Sequence, residues 1–393
     1  MLFFFAFNSA NIITMSNIKL NMYPDEKAYL LVRGTPTVSY DLVDNIRKCG
    51  IFEQVMVIDM PVVDIKKVKF HKTKLLKYFS KRDIVYKYYN EFLDSNIGDN
   101  VCDILFIHGG WNEACYVAEY FYNINKKLEI RIVEEGTGIY SQTRKHLLKM
   151  RPGYSKKQLL VSHVVEHKYL KHCYAALSDK IYVYSKDEYM RINDDKSVDI
   201  IELPCVDNNN NALAEVVKNV CNIDSNLRII YEKKKVIFLA DYVYEDEQII
   251  FLQSILKEIN ARAVAVKVHT GCTAHKLNFA KQLKQKYGLM YVDRNTYFFE
   301  GLNMSVDFSE KVFVSRGSAV MLYMKLIYGK EPYLIFTYKL YKEYKNQGDV
   351  NRVGDLVDMI RNLYNDKSRI MVPDSMSQYE QMVENAYIQS LGY

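Results

Sequence analysis

No stretch of the 393-residue chain matches GxxxxGK[ST], and Gly34, Gly109, Gly110, Gly136 and Gly138 never fall into GxGxxG. The phosphate-cradling loops of ATPases, kinases and dinucleotide-dependent dehydrogenases are therefore missing. There is no GxSxG elbow to present a nucleophilic serine, which disfavours a serine hydrolase, and no DxD to hold a divalent ion for a metal-dependent sugar transferase. Seven scattered Cys without a CxxC pair do not read as a disulfide framework, and a reducing cytoplasm suits them. No window is long and apolar enough for a transmembrane helix. The opening Met1-Leu2-Phe3-Phe4-Phe5-Ala6-Phe7 is too short to span a bilayer and lacks the basic flank of a signal peptide. It reads as an N-terminal extension over 1–22, with Met15 an alternative start. No internal repeat is visible, which excludes solenoids and propellers.

What is present is a chain too long for one core, so two domains are expected. The net charge of +6 is spread along the sequence, which argues against a dedicated nucleic-acid binder. Local basic runs, Lys66 to Lys72 and Lys233-Lys234-Lys235, suit anionic donors, anionic lipid or plain solvation. Thirty-three Tyr exceed what a core needs, so part of that surplus is expected to face solvent, a glycan or a membrane surface.

From Lys27 onward, short apolar runs alternate with longer amphipathic ones, the pattern of βα units around a parallel sheet. Strands are expected at Ala28 to Val32, Gln54 to Asp59, Asp103 to His108, Glu129 to Val133 and Lys180 to Tyr184, the last closing a first domain at 23–205. A polar stretch with Asn208-Asn209-Asn210-Asn211 makes 206–230 an interdomain connection. A second βα domain occupies 231–345, with strands at Val236 to Ala240, Ala263 to Val268, Lys311 to Val314 and Tyr333 to Phe336. Helices over 346–393 are expected to pack back across the body.

Three loops at expected strand ends carry chemistry, since open α/β sheets bind ligands at the carboxyl ends of their strands. In Glu134-Glu135-Gly136, adjacent carboxylates repel, which raises one pKa and prepares a base. The same residues would also serve as an acidic helix start. Lys267-Val268-His269-Thr270 places a cation and an imidazole where a phosphate could leave. Ser315-Arg316-Gly317-Ser318 precedes a helix, where hydroxyls and free N–H groups hold anions or simply cap the helix. Trp111 and Asn112 follow Gly109-Gly110 at another strand end and could stack on and hydrogen-bond a sugar.

The order of these segments resembles bacterial sialyltransferases of the GT-B fold, glycosyltransferase family 52 and the related capsular polysialyltransferases. Those share an acidic [DE][DE]G motif, then an HP motif, then a serine motif. Leu31-Val32-Arg33-Gly34-Thr35-Pro36 and the segment Phe238 to Asp246 add to the likeness, which covers roughly 27 to 340. The sequence departs from the pattern at Thr270, where the family has proline, and in the spacing of Ser315 and Ser318.

The resemblance implies two Rossmann-like domains with parallel sheets facing each other across a cleft. It implies inverting, metal-independent transfer of sialic acid from CMP-sialic acid to a lipooligosaccharide or capsular glycan. Glu135 would be the base, Glu134 would orient or assist, and His269 would stabilise the leaving phosphate. Lys267, Thr270, Glu300, Ser315, Gly317 and Ser318 would bind the donor; Gly136, Trp111 and Asn112 the acceptor. No cofactor is implied, and a cytoplasmic enzyme, peripheral at the membrane and in some relatives dimeric, is expected. The alternatives are a GT-B transferase using CMP-Kdo or a nucleoside diphosphate sugar, and a non-catalytic glycan-binding assembly protein.

Overall fold

The computed structural model describes residues 1–34, 38, 40–59, 74–98, 100–108, 112–134, 138–141, 178–193, 198–206, 211–221, 225–241, 245–267, 285, 290–292, 299–341 and 347–392. They form two compact units, Met1–Leu203 and Pro204–Tyr393.

Unit 1 is built on seven parallel strands: β1 (Leu2–Ala6), β2 (Ala28–Gly34), β3 (Gln54–Asp59), β4 (Ile104–Ile107), β5 (Glu129–Val133), β6 (Lys180–Val183) and β7 (Asp199–Glu202). Their order across the sheet is β3-β2-β1-β4-β5-β6-β7. The first residues are therefore not an extension. β1 lies inside the sheet, Leu2 in register with both Ala28 of β2 and Ile104 of β4. Strands covered on both faces read as unbroken apolar runs without alternation, which is why Leu2–Ala6 looks like a stray hydrophobic tip in the sequence.

Helix α1 (Ser9–Met22) starts at the N-cap Asn8, whose Oδ1 accepts from the Asn11 N–H at 2.8 Å. Every residue from Ser9 to Lys19 is buried, polar ones included. Thr14 and Ser16 donate to the carbonyls of Ala10 and Ile12, and the Lys19 ammonium to those of Tyr23 and Pro24. A helix wrapped on all sides has no apolar stripe, so periodicity does not reveal it. The remaining described helices of this unit are α2 (Tyr40–Cys49), α3 (Lys74–Ile97), α4 (Asn112–Ile124), the short α5 (Gly138–Ser141) and α6 (Lys186–Asn193). The sheet also runs one strand further than expected, through β7, whose ends are charged Asp199 and Glu202.

Unit 2 repeats the plan. Its strands β8 (Val236–Leu239), β9 (Val264–Lys267), β10 (Met290–Val292), β11 (Val312–Ser315), β12 (Tyr333–Phe336) and β13 (Ile370–Met371) are ordered β10-β9-β8-β11-β12-β13, all parallel. The stretch expected to be an interdomain connection instead supplies α7 (Asn211–Cys221) and α8 (Ser225–Lys233), which belong to this unit. α7 packs on the 3-10 turn Phe299–Met304, burying Leu213 and Val217 completely. The other helices are α9 (Glu245–Glu258), α10 (Ala319–Leu326), α11 (Gln347–Leu363) and α12 (Met376–Ser390). α12 rests on α9, β11 and β12, and α11 on α10 and β13. The last strand is thus β13 rather than Tyr333–Phe336.

Numbered by order of appearance within each unit, both sheets begin 3-2-1-4-5-6, with the direction of winding reversing between the first and fourth strands. That reversal is where ligands bind in doubly wound sheets. Much of the tyrosine surplus goes inward: Tyr89, Tyr140, Tyr189, Tyr231 and Tyr379 are among the largest fully buried side chains.

Candidate functional site

Glu134 directly follows β5, and its N–H donates to the Tyr182 carbonyl at 2.9 Å, so the ladder delivers it to the carboxyl edge of the sheet. Its side chain is 2% exposed. One oxygen, Oε2, accepts from the Tyr140 hydroxyl at 2.5 Å and the Tyr184 N–H at 2.8 Å. The other, Oε1, is buried with no partner among the described residues. Burial raises the carboxyl from its ordinary 4.5 to about 7, against the lowering effect of the two hydrogen bonds. Burial thus supplies what the sequence suggested carboxylate repulsion would.

The sign of the pH effect follows. A carboxyl with a raised folded-state pKa contributes stability that is complete below 4.5 and lost as pH climbs through about 7. Glu134→Gln should therefore gain on the parent across this window, by an amount on the order of a few kcal/mol. Chemical denaturation at a series of pH values measures it. Parallel stability curves for the two proteins would rule the assignment out.

At the winding reversal of unit 1 a second group converges. Arg33 in β2 meets Glu113 in the first turn of α4, Nη2 to Oε1 at 3.1 Å, and its guanidinium lies 5.6 Å from the Phe7 ring centroid. Phe7 in turn stands nearly perpendicular to His108, centroids 3.9 Å apart, at the ends of β1 and β4. Buried Tyr89 of α3 lies close enough for both charges to act on it. These residues come from five separate segments, so no local pattern in the sequence joins them.

In unit 2, Ser315 ends β11 and is 3% exposed. Ser318 is the N-cap of α10, its Oγ accepting from the Val320 N–H at 3.3 Å. Between them, Arg316 reaches across the winding reversal, Nε 2.7 Å from Oδ2 of Asp241, which follows β8. Asp241 and Arg316 are far apart in the sequence; the adjacency of β8 and β11 is what joins them. Gly317 has a packing reason to be glycine: a Cβ there would stand 2.9 Å from Cγ1 of Val353 on α11. Lys267 ends β9, with its ammonium 5.4 Å from the ring centroid of Phe299, the residue before Glu300.

Glu135, Gly136, Trp111, His269 and Thr270 lie outside the described residues. Asn112 and Glu300 lie in described elements, α4 and the 3-10 turn, by backbone only. One further pattern bears on the expected metal independence. His163 and His167 stand four apart in the sequence with Glu166 between them, a spacing that also occurs in metal-binding motifs. That segment also lies outside the described residues. Among the described residues no group of three or more His, Cys, Asp or Glu could hold a metal ion, and no helix is long and apolar enough to cross a membrane.

No protein-family model and no curated protein matches the sequence. Solved structures do match in outline. UDP-N-acetylglucosamine 2-epimerase from Rickettsia bellii shares 10% identity at a TM-score of 0.47, over 100% of this chain and 96% of that one. Phytolacca americana UGT2, solved with UDP-2fluoro-glucose and pterostilbene, shares 12% at 0.48, over 100% and 93%. An α,α-trehalose-phosphate synthase (UDP-forming) from Burkholderia vietnamiensis shares 10% at 0.41, over 99% and 93%. The strand order describes the fold: two successive units, each a doubly wound, Rossmann-like parallel sheet whose order begins 3-2-1-4-5-6, as expected of a GT-B protein.

Proposed function

We propose that the chain is an inverting, metal-independent glycosyltransferase that moves sialic acid from CMP-sialic acid to a hydroxyl of a cell-surface glycan. The observation that carries this reading is the Ser315, Arg316 and Ser318 group at the winding reversal of the second sheet. A guanidinium with hydroxyls and a helix start suits a nucleotide phosphate. Lys267 adds charge on the neighbouring strand end, and His269, two residues on, would stabilise the departing CMP phosphate.

In unit 1, Glu135 would take the acceptor proton. Its amino-side neighbour Glu134, pushed up to about 7 by burial, would be mostly neutral below that pH, leave that charge unopposed there, and be held through Tyr140 and Tyr184. Attack by the acceptor oxygen at the anomeric carbon would form the new glycosidic bond as the bond to phosphate breaks, the electron pair leaving with CMP. Gly136, Trp111 and Asn112 would face the acceptor, a glycolipid at the inner face of the membrane, and a homodimer is compatible with this arrangement.

Donor hydrolysis measured with CMP-sialic acid, CMP-Kdo and UDP-hexoses separates the readings. Turnover of CMP-sialic acid is expected, insensitive to EDTA, and lowered on the order of 10²-fold or more by Glu135→Gln or His269→Ala. Consumption of UDP-sugars alone would replace sialic acid by another donor. Loss of activity in EDTA would point to His163 and His167, and full function in both variants to a glycan-binding protein.

A further inference from the structure

Strand β8 stays in the ladder as far as Ala240, whose N–H donates to the Lys267 carbonyl at 2.9 Å. Asp241 comes next, and its backbone is met by a side chain. Gln248 of α9 accepts from the Asp241 N–H through Oε1 at 2.8 Å and donates from Nε2 to the Asp241 carbonyl at 3.4 Å. The primary amide thus repeats the pattern of a neighbouring strand, and buried backbone groups that leave a sheet need such partners. Through its side chain the same Asp241 faces Arg316, Oδ2 to Nε at 2.7 Å.

Gln248 is itself held in place. It is 1% exposed. Three residues on, along the same side of α9, Phe251 packs on Tyr341 at 5.1 Å and on Tyr379 of α12 at 5.4 Å, centroid to centroid, and the Tyr379 hydroxyl donates to the Phe251 carbonyl at 3.3 Å. Tyr341 in turn lies close enough to Asp241 and Arg316 for both charges to act on its hydroxyl. A side chain can orient another only when packing fixes its own rotamer, a condition that Gln248 meets.

We infer that Gln248 is a positioning residue for Arg316: it sets Asp241, whose carboxylate fixes the guanidinium at the winding reversal of the second sheet, where a nucleotide phosphate would meet it. The phosphate rests on the transferase reading; the fixing of the guanidinium does not. Gln248 carries no charge, so its loss leaves the attraction between Arg316 and an anion in place and removes only the orientation. Loss of Asp241 changes both at once, because its carboxylate also repels an anion. Gln248 therefore isolates the effect of orientation.

Two readouts on the full chain test this: NMR relaxation with isotope-labelled arginine, the Arg316 Nε signal being assigned by its absence from Arg316→Lys, and calorimetric titration with CMP. In the parent, Arg316 Nε is expected to be as ordered as rigid backbone, with an order parameter of about 0.85. Gln248→Met keeps the length of the side chain without its amide, and should drop that value below about 0.6. It should also weaken CMP about tenfold. In an Asp241→Ala background the same exchange should leave CMP affinity unchanged, since the link it acts through is gone. Gln248→Ala supplies the comparison should the Met variant not fold. A mobile Arg316 in the parent, an order parameter untouched by loss of the amide, or an equal loss of CMP affinity in both backgrounds would overturn the inference. Arg316 loosened by Gln248→Met in a protein that never binds CMP would uphold the positioning and sink the donor reading alone.

Discussion

Removing residues 1–14, so that the chain begins at Met15, is expected to leave unit 1 unfolded and unit 2 intact. The deletion takes out β1, which pairs with β2 over five residues and with β4 over three. Two sheet edges would then face each other across a missing strand, their N–H and C=O groups without partners. It also removes Phe3, Phe4 and Phe5, all 0% exposed. Phe3 packs on Phe121 at 4.6 Å between centroids, Phe4 stacks on Phe106 at 4.4 Å, and Phe5 meets Tyr89. A single buried Phe→Ala costs about 3–5 kcal/mol, against a whole-domain stability of about 5–15 kcal/mol. Three such losses exceed what the unit has, and Phe4→Ala alone should bring it near its limit. Hydrogen exchange reads this directly: amides of β2 and β4 should lose protection while those of β8 and β11 keep it. A truncated chain with native protection across β2 and β4 would contradict the placement of β1.

On the transferase reading proposed above, replacing Arg316 by Gln is expected to lower donor turnover on the order of 10²-fold, as loss of one charged or oriented donor to a phosphate does. It should also cost stability, because Asp241, whose side chain is 14% exposed, loses the guanidinium 2.7 Å away. The two effects can be separated. Asp241→Asn combined with Arg316→Gln removes both charges, leaves a neutral pair able to hydrogen-bond, and should restore the melting temperature. It should not restore turnover or CMP affinity, since the missing cation is what the phosphate needs. Calorimetric titration with CMP alongside thermal unfolding gives both numbers. A double variant that binds CMP as the parent does would make Arg316 a structural residue and remove the main support for the donor site.

The legibility of this chain in its sequence differs from strand to strand for physical reasons. β2, β3, β5 and β8 announce themselves because each is an apolar, β-branched run that stops at a polar or glycine-rich loop. β7 and β13 do not: one is four residues with charged ends, the other two residues long. Pairing with β6 and β12 makes them strands, and pairing is not a local property. β1 was misread because a short apolar run at a chain start has the same composition whether it is a stray tip or the middle of a sheet.

The candidate site divides in the same way. Which residue types end the strands was readable: Glu134 after β5, Lys267 closing β9, Ser315 closing β11. How they behave was not. The protonation of Glu134 depends on Tyr140 and Tyr184 and on exclusion of water, none of which the Glu134-Glu135-Gly136 triplet contains. Gly317, expected beside a ligand, lies against Val353.

By itself the sequence determined the class of the fold and the chemistry of its strand ends, because hydrophobic period and loop composition are local and survive without knowledge of neighbours. Only the tertiary structure decided which strand ends are adjacent. The reversal of winding between the first and fourth strands joins Arg33 with Glu113 and Asp241 with Arg316, and that order is set by the packing of whole βα units, which no single segment records.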